Sequence, residues 1–300
     1  MSKINQFTMQ DPRYQYDVSN THKNDDQPDP GLDEILSPKS DHGEKTYEGS
    51  GRLKGRKALV TGGDSGIGRA VAIAFAREGA DVVINYLPSE EKDAQDTLTY
   101  LSDCGISAHG IPGDISDESF CEELVSQTAT KLGSIDILVN NAGKQQFVAE
   151  LEDLTTEQFC KTYQTNVFAM FWITKAAVKH MPAGSSIINT TSIQCYQPSA
   201  GLLDYASTKG AITSFTKSLA KMLIEKGIRV NGVAPGPIWT PIQQSGGQPE
   251  EKLPKLGENL PLKRPGQPAE LAPVYVYLAS QESSYVTAEI TGVTGGQHLP

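Results

Sequence analysis

At 300 residues the chain is long enough for one large α/β domain or two small ones, and it supplies a core with ease. Its formal charge of −10 argues against a nucleic-acid binder, which would carry a basic stripe, and no run approaches the length of a membrane span. Cys104, Cys121, Cys160 and Cys195 stand apart without Cys-x-x-Cys spacing and the five histidines are scattered, so we expect a reducing cytoplasm, no disulfide framework and no catalytic metal.

Residues 1–50 differ from the rest. They hold ten acids, among them Asp25, Asp26, Asp29, Asp33 and Glu34, against five Lys or Arg, together with four prolines. Such a segment cannot bury enough surface to fold alone, and it lacks the apolar core of a signal peptide. It reads as a polar arm, either a loose tail or an extended strap laid on its own subunit or a neighbour. Residues 51–300 then form the catalytic domain.

That domain opens on a β-rich run, Lys57 to Thr61, followed at once by Gly62-Gly63-Asp64-Ser65-Gly66-Ile67-Gly68 and a helix to about Glu78. Strand, glycine-rich turn and helix is the context in which such a turn binds an anion. Glycines let the backbone approach a pyrophosphate, and the helix N-terminus aims free N–H groups and its dipole at it. The spacing is Gly-x-x-x-Gly-x-Gly, and no Gly-Lys-Ser/Thr follows, so this is not a P-loop.

The alternation continues. Asp81 to Asn85 reads as a strand, Glu90 to Ser102 as a polar helix and Ala108 to Ile111 as a strand ending in Gly113-Asp114-Ile115. Glu118 to Leu132 is a helix, and Ile135 to Val139 a strand ending in Asn140-Asn141-Ala142-Gly143. An apolar helix capped by Thr155 with Gln158 carries Asn166. Repeated βα units argue for one doubly wound parallel sheet with helices on both faces, and ligands then sit at the strand carboxyl ends.

Ile187-Ile188 reads as a buried strand end that leads to Ser192, then to a helix in which Tyr205 and Lys209 are four apart and share a side. Of eleven tyrosines only Tyr205 has a lysine four residues on. A free phenol titrates near ~10, a neighbouring ammonium favours the phenolate, and a hydroxyl beside the pair can hold a substrate oxygen. By itself the spacing fits an exposed helical pair equally well. Ile228 to Ala234 is a strand, ending in Pro235-Gly236-Pro237-Ile238-Trp239-Thr240. Pro241 to Leu262, rich in Gly, Gln and Pro, reads as a mobile lid. A helix from Ala269 to Ala279 and a strand from Glu289 to Thr294 close the sheet, and Gly295-Gly296 turns into a short tail.

Together, Thr61-Gly62-x-x-x-Gly66-Ile67-Gly68, Asn140-Asn141-Ala142-Gly143, Asn166, Ser192, Tyr205-x-x-x-Lys209 and Pro235-Gly236 resemble the short-chain dehydrogenase/reductase (SDR) family over residues 53–300. Gly43-Glu44-Lys45-Thr46-Tyr47 and the 235–240 segment are similar to the bacterial general-stress-protein-type oxidoreductases with an N-terminal extension. The resemblance implies a Rossmann-type sheet of about seven strands, order 3-2-1-4-5-6-7, in a homotetramer. It implies reversible hydride transfer between NAD or NADP and a small aldehyde, ketone or alcohol. Tyr205 would be the general acid, Lys209 would lower its pKa, Ser192 would orient the carbonyl, and Asn166 would hold a water linking Lys209 to solvent.

Cofactor contacts are expected from Gly62, Asp64, Ser65, Gly66, Ile67, Gly68, Asn85, Tyr86, Ile115, Asn141, Ala142, Gly143, Pro235, Gly236, Ile238 and Thr240, besides Tyr205 and Lys209. Asp114 is either a helix N-cap or the acceptor for the adenine amine, and Asn141 may instead tie its strand to a neighbour. Ser192, Gln194, Tyr196 and Trp239 are the substrate-pocket candidates, and Cys195 reads as packing rather than as a nucleophile. The second strand ends in Asn85-Tyr86-Leu87-Pro88-Ser89, neither acid nor base, so NAD and NADP both stay open. Alternatives within the family are a 3-oxoacyl-thioester reductase or a sugar dehydrogenase. Outside it stands a dinucleotide-sensing protein without turnover, although such proteins typically lose the tyrosine or lysine that this chain keeps.

Overall fold

The computed structural model describes residues 4–16, 27 and 29–297. Asp25, Asp26 and the tail beyond Gln297 lie outside them. Seven strands form one sheet: β1 (Lys57–Thr61), β2 (Asp81–Tyr86), β3 (Ala108–Pro112), β4 (Ile137–Asn140), β5 (Ser186–Thr190), β6 (Arg229–Pro235) and β7 (Ile290–Val293). Their order is β3-β2-β1-β4-β5-β6-β7, and every pairing is parallel. β4 and β5 are buried along their whole length, as expected of strands covered on both faces.

One face carries α1 (Gly66–Arg77), α2 (Glu91–Ser102) and α7 (Pro268–Ala279); the other carries α3 (Glu118–Leu132), α5 (Ala169–Ala177) and α6 (Leu203–Leu223). Side chains alternate accordingly. Val60 and Ile84 face Phe75 and Tyr275, whereas Leu59 and Leu138 face Ile173 and Ile187. Leu59 has no solvent exposure, so truncating it to alanine would cost about 2–5 kcal/mol.

The helix ends follow local chemistry. Asp117 caps α3 by accepting from the N–H groups of Ser119 and Phe120, and Gly133, at φ 86°, ends it. Thr155 caps α4 (Thr156–Tyr163), its hydroxyl accepting from Gln158 N at 3.1 Å. A π-helical turn, Gln164–Phe168, joins α4 to α5 and buries Asn166. Among the described residues no helix is long and apolar enough to cross a membrane.

The described parts of the arm lie on the chain's own surface. Leu36 is buried, the Tyr47 hydroxyl donates to Glu78 Oε1 at 2.6 Å, and Arg77 Nη1 donates to Gly43 O at 2.8 Å. Residues 4–16 lie outside this layer: Tyr16 donates to Asp41 Oδ2 at 3.0 Å, and Arg264 Nε donates to Pro12 O at 2.8 Å.

The arm is bolted to the glycine-rich turn by charge. Gly66 N donates to Asp33 Oδ2 at 3.2 Å, and the backbone N–H groups of Asp33 and Glu34 donate to Asp93 at 2.6 and 3.0 Å. His42 Nε2 lies 2.9 Å from Asp33 Oδ2, aligned as an ion pair rather than a hydrogen bond, and its Nδ1 lies 3.1 Å from Glu44 Oε1. Arg69 joins Glu44 and Asp96 at 3.1 and 2.5 Å. Burial alone would lower the His42 pKa, but the carboxylates of Asp33 and Glu44 outweigh it and raise it to about 9.

Candidate active site

Where the chain, having built β1 to β3, crosses back to β4, the strand carboxyl ends part and leave a cleft of about 360 Å³. The glycine-rich turn forms its floor. Gly62 sits at φ 60° with no room behind it, since a Cβ there would lie 3.0 Å from Ala142 Cα. Ser65, the N-cap of α1, makes no side-chain cap; Gly66 N is taken by Asp33, which leaves the N–H of Ile67 in the first turn for an anion. With Asp64, Ser65, Gly66 and Ile67 these residues line the cleft.

Most of the residues expected at strand ends meet there. Asn85, Tyr86, Asp114 and Ile115 line one end. Asn141, Ala142 and Gly143 line the middle. Pro235, Gly236, Ile238, Thr240, Ser192, Gln194, Tyr205 and Lys209 line the other end. Asn85 and Asn141 also bridge strands. Asn85 Nδ2 donates to the carbonyls of Ile111 and Gly113, and Asn141 Nδ2 to those of Thr61 and Gly62. Asp114 is not a helix N-cap, for Asp117 holds that place; its carboxylate accepts from Ser116 N at 2.8 Å and faces the cleft.

Three expectations need correction. Trp239 is fully buried and away from the cleft lining: its Nε1 donates to Pro38 O at 2.8 Å, and its carbonyl accepts from Ser40 Oγ at 2.7 Å. The arm, not a substrate, packs that indole. Tyr196 is half-buried beside Cys195 and does not reach the cleft. Gly68 stands behind the turn, where a Cβ would meet Gly62 O at 1.8 Å, so it allows α1 to close on the turn without touching a ligand. Asn166 lies behind the cleft wall with its amide engaged: Oδ1 accepts from Lys144 N at 2.7 Å, and Nδ2 donates to Lys144 O and Thr208 Oγ1 at 2.9 and 3.1 Å. Cys195 packs as expected, accepting from Thr213 Oγ1 at 3.3 Å.

At the far end the chemistry is a half-buried phenol with a buried hydroxyl and a buried amine. Ser192, the cap of a short 3₁₀ turn, accepts from Gln194 N at 3.1 Å and lines the cleft with Tyr205. Lys209 Nζ donates to Thr190 O at 2.9 Å and stands 5.3 Å from the centre of the Tyr205 ring. Burial raises the Tyr205 pKa to about 12, against the lowering effect of Ser192, and burial lowers Lys209 to about 8. The ammonium therefore does not outweigh desolvation at the phenol. Both groups are driven toward their neutral forms, and the tyrosine holds its proton at neutral pH.

Three lining features escaped the sequence. Glu90, at the foot of α2, enters the cleft beside Asp64, its Oε2 accepting from Leu87 N at 2.8 Å. Asp29, Pro30 and Gly31 of the arm form part of the wall, with Gly31 so close to Pro241 that a Cβ would meet its carbonyl oxygen at 2.8 Å. Lys144 lines the cleft and pairs with Asp29. Only the arm's wealth of acids hinted at any of this. The 241–262 segment folds into short helical turns over the opening and is tied down where Gln145 Nε2 donates to Gly247 O at 2.6 Å and Phe147 N donates to Gly246 O at 2.7 Å.

A nicotinamide dinucleotide fits what these residues offer. The helix N-terminus would hold the diphosphate, and Asp64 lines the same space. A parallel sheet with a glycine-rich turn and a Ser, Tyr and Lys group in one cleft is the frame of a dinucleotide-dependent oxidoreductase. The sequence profile described as enoyl-(acyl carrier protein) reductase matches residues 62–298. An uncharacterized oxidoreductase, YghA, of Escherichia coli (strain K12) is 60% identical over 291 residues, 97% of this chain and 99% of that protein. NADPH-dependent aldehyde reductase 1, chloroplastic, of Arabidopsis thaliana is 45% identical over 273 residues, 89% of this chain and 94% of that one. The crystal structure of a short chain dehydrogenase from Burkholderia cenocepacia J2315 in complex with NADP superposes with a TM-score of 0.76 at 32% identity, covering 82% of this chain and 98% of that one. The chain belongs to the short-chain dehydrogenase/reductase family, oxidoreductases that act on CH–OH groups with NAD or NADP.

Proposed function

We propose that the protein interconverts a small aldehyde or ketone and the corresponding alcohol, with Tyr205 as the general acid and base. The observation that carries this reading is Lys209 Nζ 5.3 Å from the centre of the Tyr205 ring, with Ser192 lining the same end of a cleft whose other end is a glycine-rich helix N-terminus. The dinucleotide supplies the hydride for the carbonyl carbon. Ser192 holds the substrate oxygen as negative charge grows there, and Tyr205 gives that oxygen its proton. A phenol with a raised pKa starts reduction in the protonated form that the step requires.

Lys209, held by Thr190 O, supplies positive charge next to the phenol as it loses its proton. Asn166 acts as a positioning residue: by clamping Lys144 from both sides it fixes Gly143, where a Cβ would lie 3.7 Å from Lys209 Nζ. Asp114 stands as the acceptor for the adenine amine. The arm serves as a third wall of the cleft, since Asp29 to Gly31 line it and Gln27 Nε2 donates to Gln244 Oε1 of the cover at 2.8 Å. The name of the Arabidopsis relative supports an aldehyde as substrate. Phe168 and Phe171, both 45% exposed near and on α5, support association into a homotetramer, which sedimentation would test. The four cysteines are free thiols, which supports a reducing compartment.

A panel of short aldehydes, ketones, polyols and 3-oxoacyl thioesters, followed at the nicotinamide absorbance, tests the substrate class. Turnover of aldehydes above all others is the expected result. Turnover confined to thioesters or polyols would replace this reading with one of its alternatives.

A further inference from the structure

The two ends of the cleft differ in charge. The end formed by β2, β3 and the glycine-rich turn presents Asp64, Glu90 and Asp114. Among the described residues, the cations that line the cleft are Lys144, Lys161 and Lys209. All three come from segments after β4, and the first of them is paired with Asp29. Arg69, the base nearest the turn in sequence, does not line the cleft: it is buried against Glu44, Asp96 and the face of Tyr100.

Asp64 lines the cleft although only 1% exposed, and its buried Oδ2 has no hydrogen-bond partner. A carboxyl that lines this end and still lacks a donor suits a ligand hydroxyl. The vicinal hydroxyls of a ribose supply two donors, and a 2′-phosphate removes one of them and adds about two negative charges. In this family of folds an acid near the second strand end takes the ribose hydroxyls, and a base accommodates the phosphate. Here the strand end itself is neutral, and the acids arrive from the glycine-rich turn and from the foot of α2.

We propose that Asp64 and Glu90 make this site selective for NAD(H) over NADP(H), by accepting from the adenosine ribose hydroxyls and repelling a 2′-phosphate. This rests on reading the glycine-turn end of the cleft as the adenosine site. Burial raises the pKa of both carboxyls first; the charges of Asp33 and Asp93 then raise Asp64, and those of Asp64, Asp93 and Asp29 raise Glu90, which fits carboxyls packed with too little counter-charge.

The test is a fluorescence titration of the full-length protein with NADH and with NADPH at one fixed ionic strength and at pH 9, above the raised values of about 7 for Asp64 and about 8 for Glu90, so that both are carboxylates. Repeating it on Glu90→Gln, which keeps an acceptor for Leu87 N, and on Asp64→Asn tests the residues. The expected result is NADH binding at least about tenfold tighter than NADPH, with the ratio narrowed several-fold in each variant, since like-charge juxtaposition costs several kcal/mol. Equal or tighter binding of NADPH by the wild type would overturn the proposal even if both variants fail to fold, and so would a ratio that folded variants leave unmoved. Binding of neither nucleotide would be a different failure, that of the cleft reading itself.

Discussion

The two ends of the cleft use the same physical effect for different ends. At the proton-transfer end, burial keeps the Tyr205 phenol protonated and weakens the Lys209 charge. At the glycine-turn end, burial raises Asp64 and Glu90 above the usual carboxylate range. Desolvation is the leading cause in all four. What differs is the company each group keeps. Tyr205 has Ser192 and Lys209 beside it and no carboxylate raising it, whereas Asp64 is raised by Asp33 and Asp93, and Glu90 by Asp64, Asp93 and Asp29. On the proposed reading one end moves a proton and the other holds hydroxyl donors and refuses a phosphate. The arm reaches the cleft directly, through Asp29 to Gly31 in its wall and the Asp29–Lys144 pair, and also touches the cover.

Several measurements break or sharpen that contrast. The largest effect is expected at the proton-transfer end. Lys209→Met removes the charge and keeps the volume, so carbonyl turnover should fall about 10²–10⁴-fold, read from steady-state kinetics. A smaller effect belongs to the other end. Glu90→Gln should leave aldehyde turnover with saturating NADH within about threefold while narrowing the NADH-to-NADPH binding ratio. A Glu90→Gln enzyme as inactive as Lys209→Met would show that the two ends are not separable.

The direction of the reaction should separate in pH. Alcohol oxidation needs the phenolate, and Tyr205 is pushed up to about 12, so its kcat/KM should rise as pH increases from 7 to 9. Carbonyl reduction needs the phenol and the Lys209 charge, and with Lys209 lowered to about 8 its kcat/KM should fall over the same range. An oxidation rate that falls with pH would contradict the assignment.

The smallest effect concerns the bolt between arm and turn. His42 has a folded pKa of about 9, above its ordinary value of about 6.5, so its contribution is fully present below the lower value and is lost as pH rises through about 9. His42→Ala should cost on the order of 3 kcal/mol at pH 6, seen as a lower Tm and faster proteolysis of the arm. The gap from wild type should shrink by pH 10. A gap that does not depend on pH would mean that His42 works by packing alone.

Much of this molecule was legible in the sequence because its signals are local. β-Rich runs placed β1 to β7 within a residue or two, Thr155 with Gln158 located the start of α4, and polar residues at strand ends marked the cleft. The clearest misses involve partners far along the chain. Trp239 follows the β6 turn, as a pocket residue would, yet Pro38, 201 positions away, takes its N–H. Glu90 reads as an ordinary first-turn acid until β2 and the glycine-rich turn bring it into the cleft with Asp64. The π-helical turn that buries Asn166 breaks no hydrophobic pattern and so has no signature in the chain.

The most direct test of the central claim is Tyr205→Phe, assayed for NADH binding and for single-turnover hydride transfer to an aldehyde on the same preparation. The expected result is NADH affinity within about threefold of wild type and hydride transfer slower by about 10²–10⁴-fold. Hydride transfer at the wild-type rate with NADH bound would contradict the role given to this phenol.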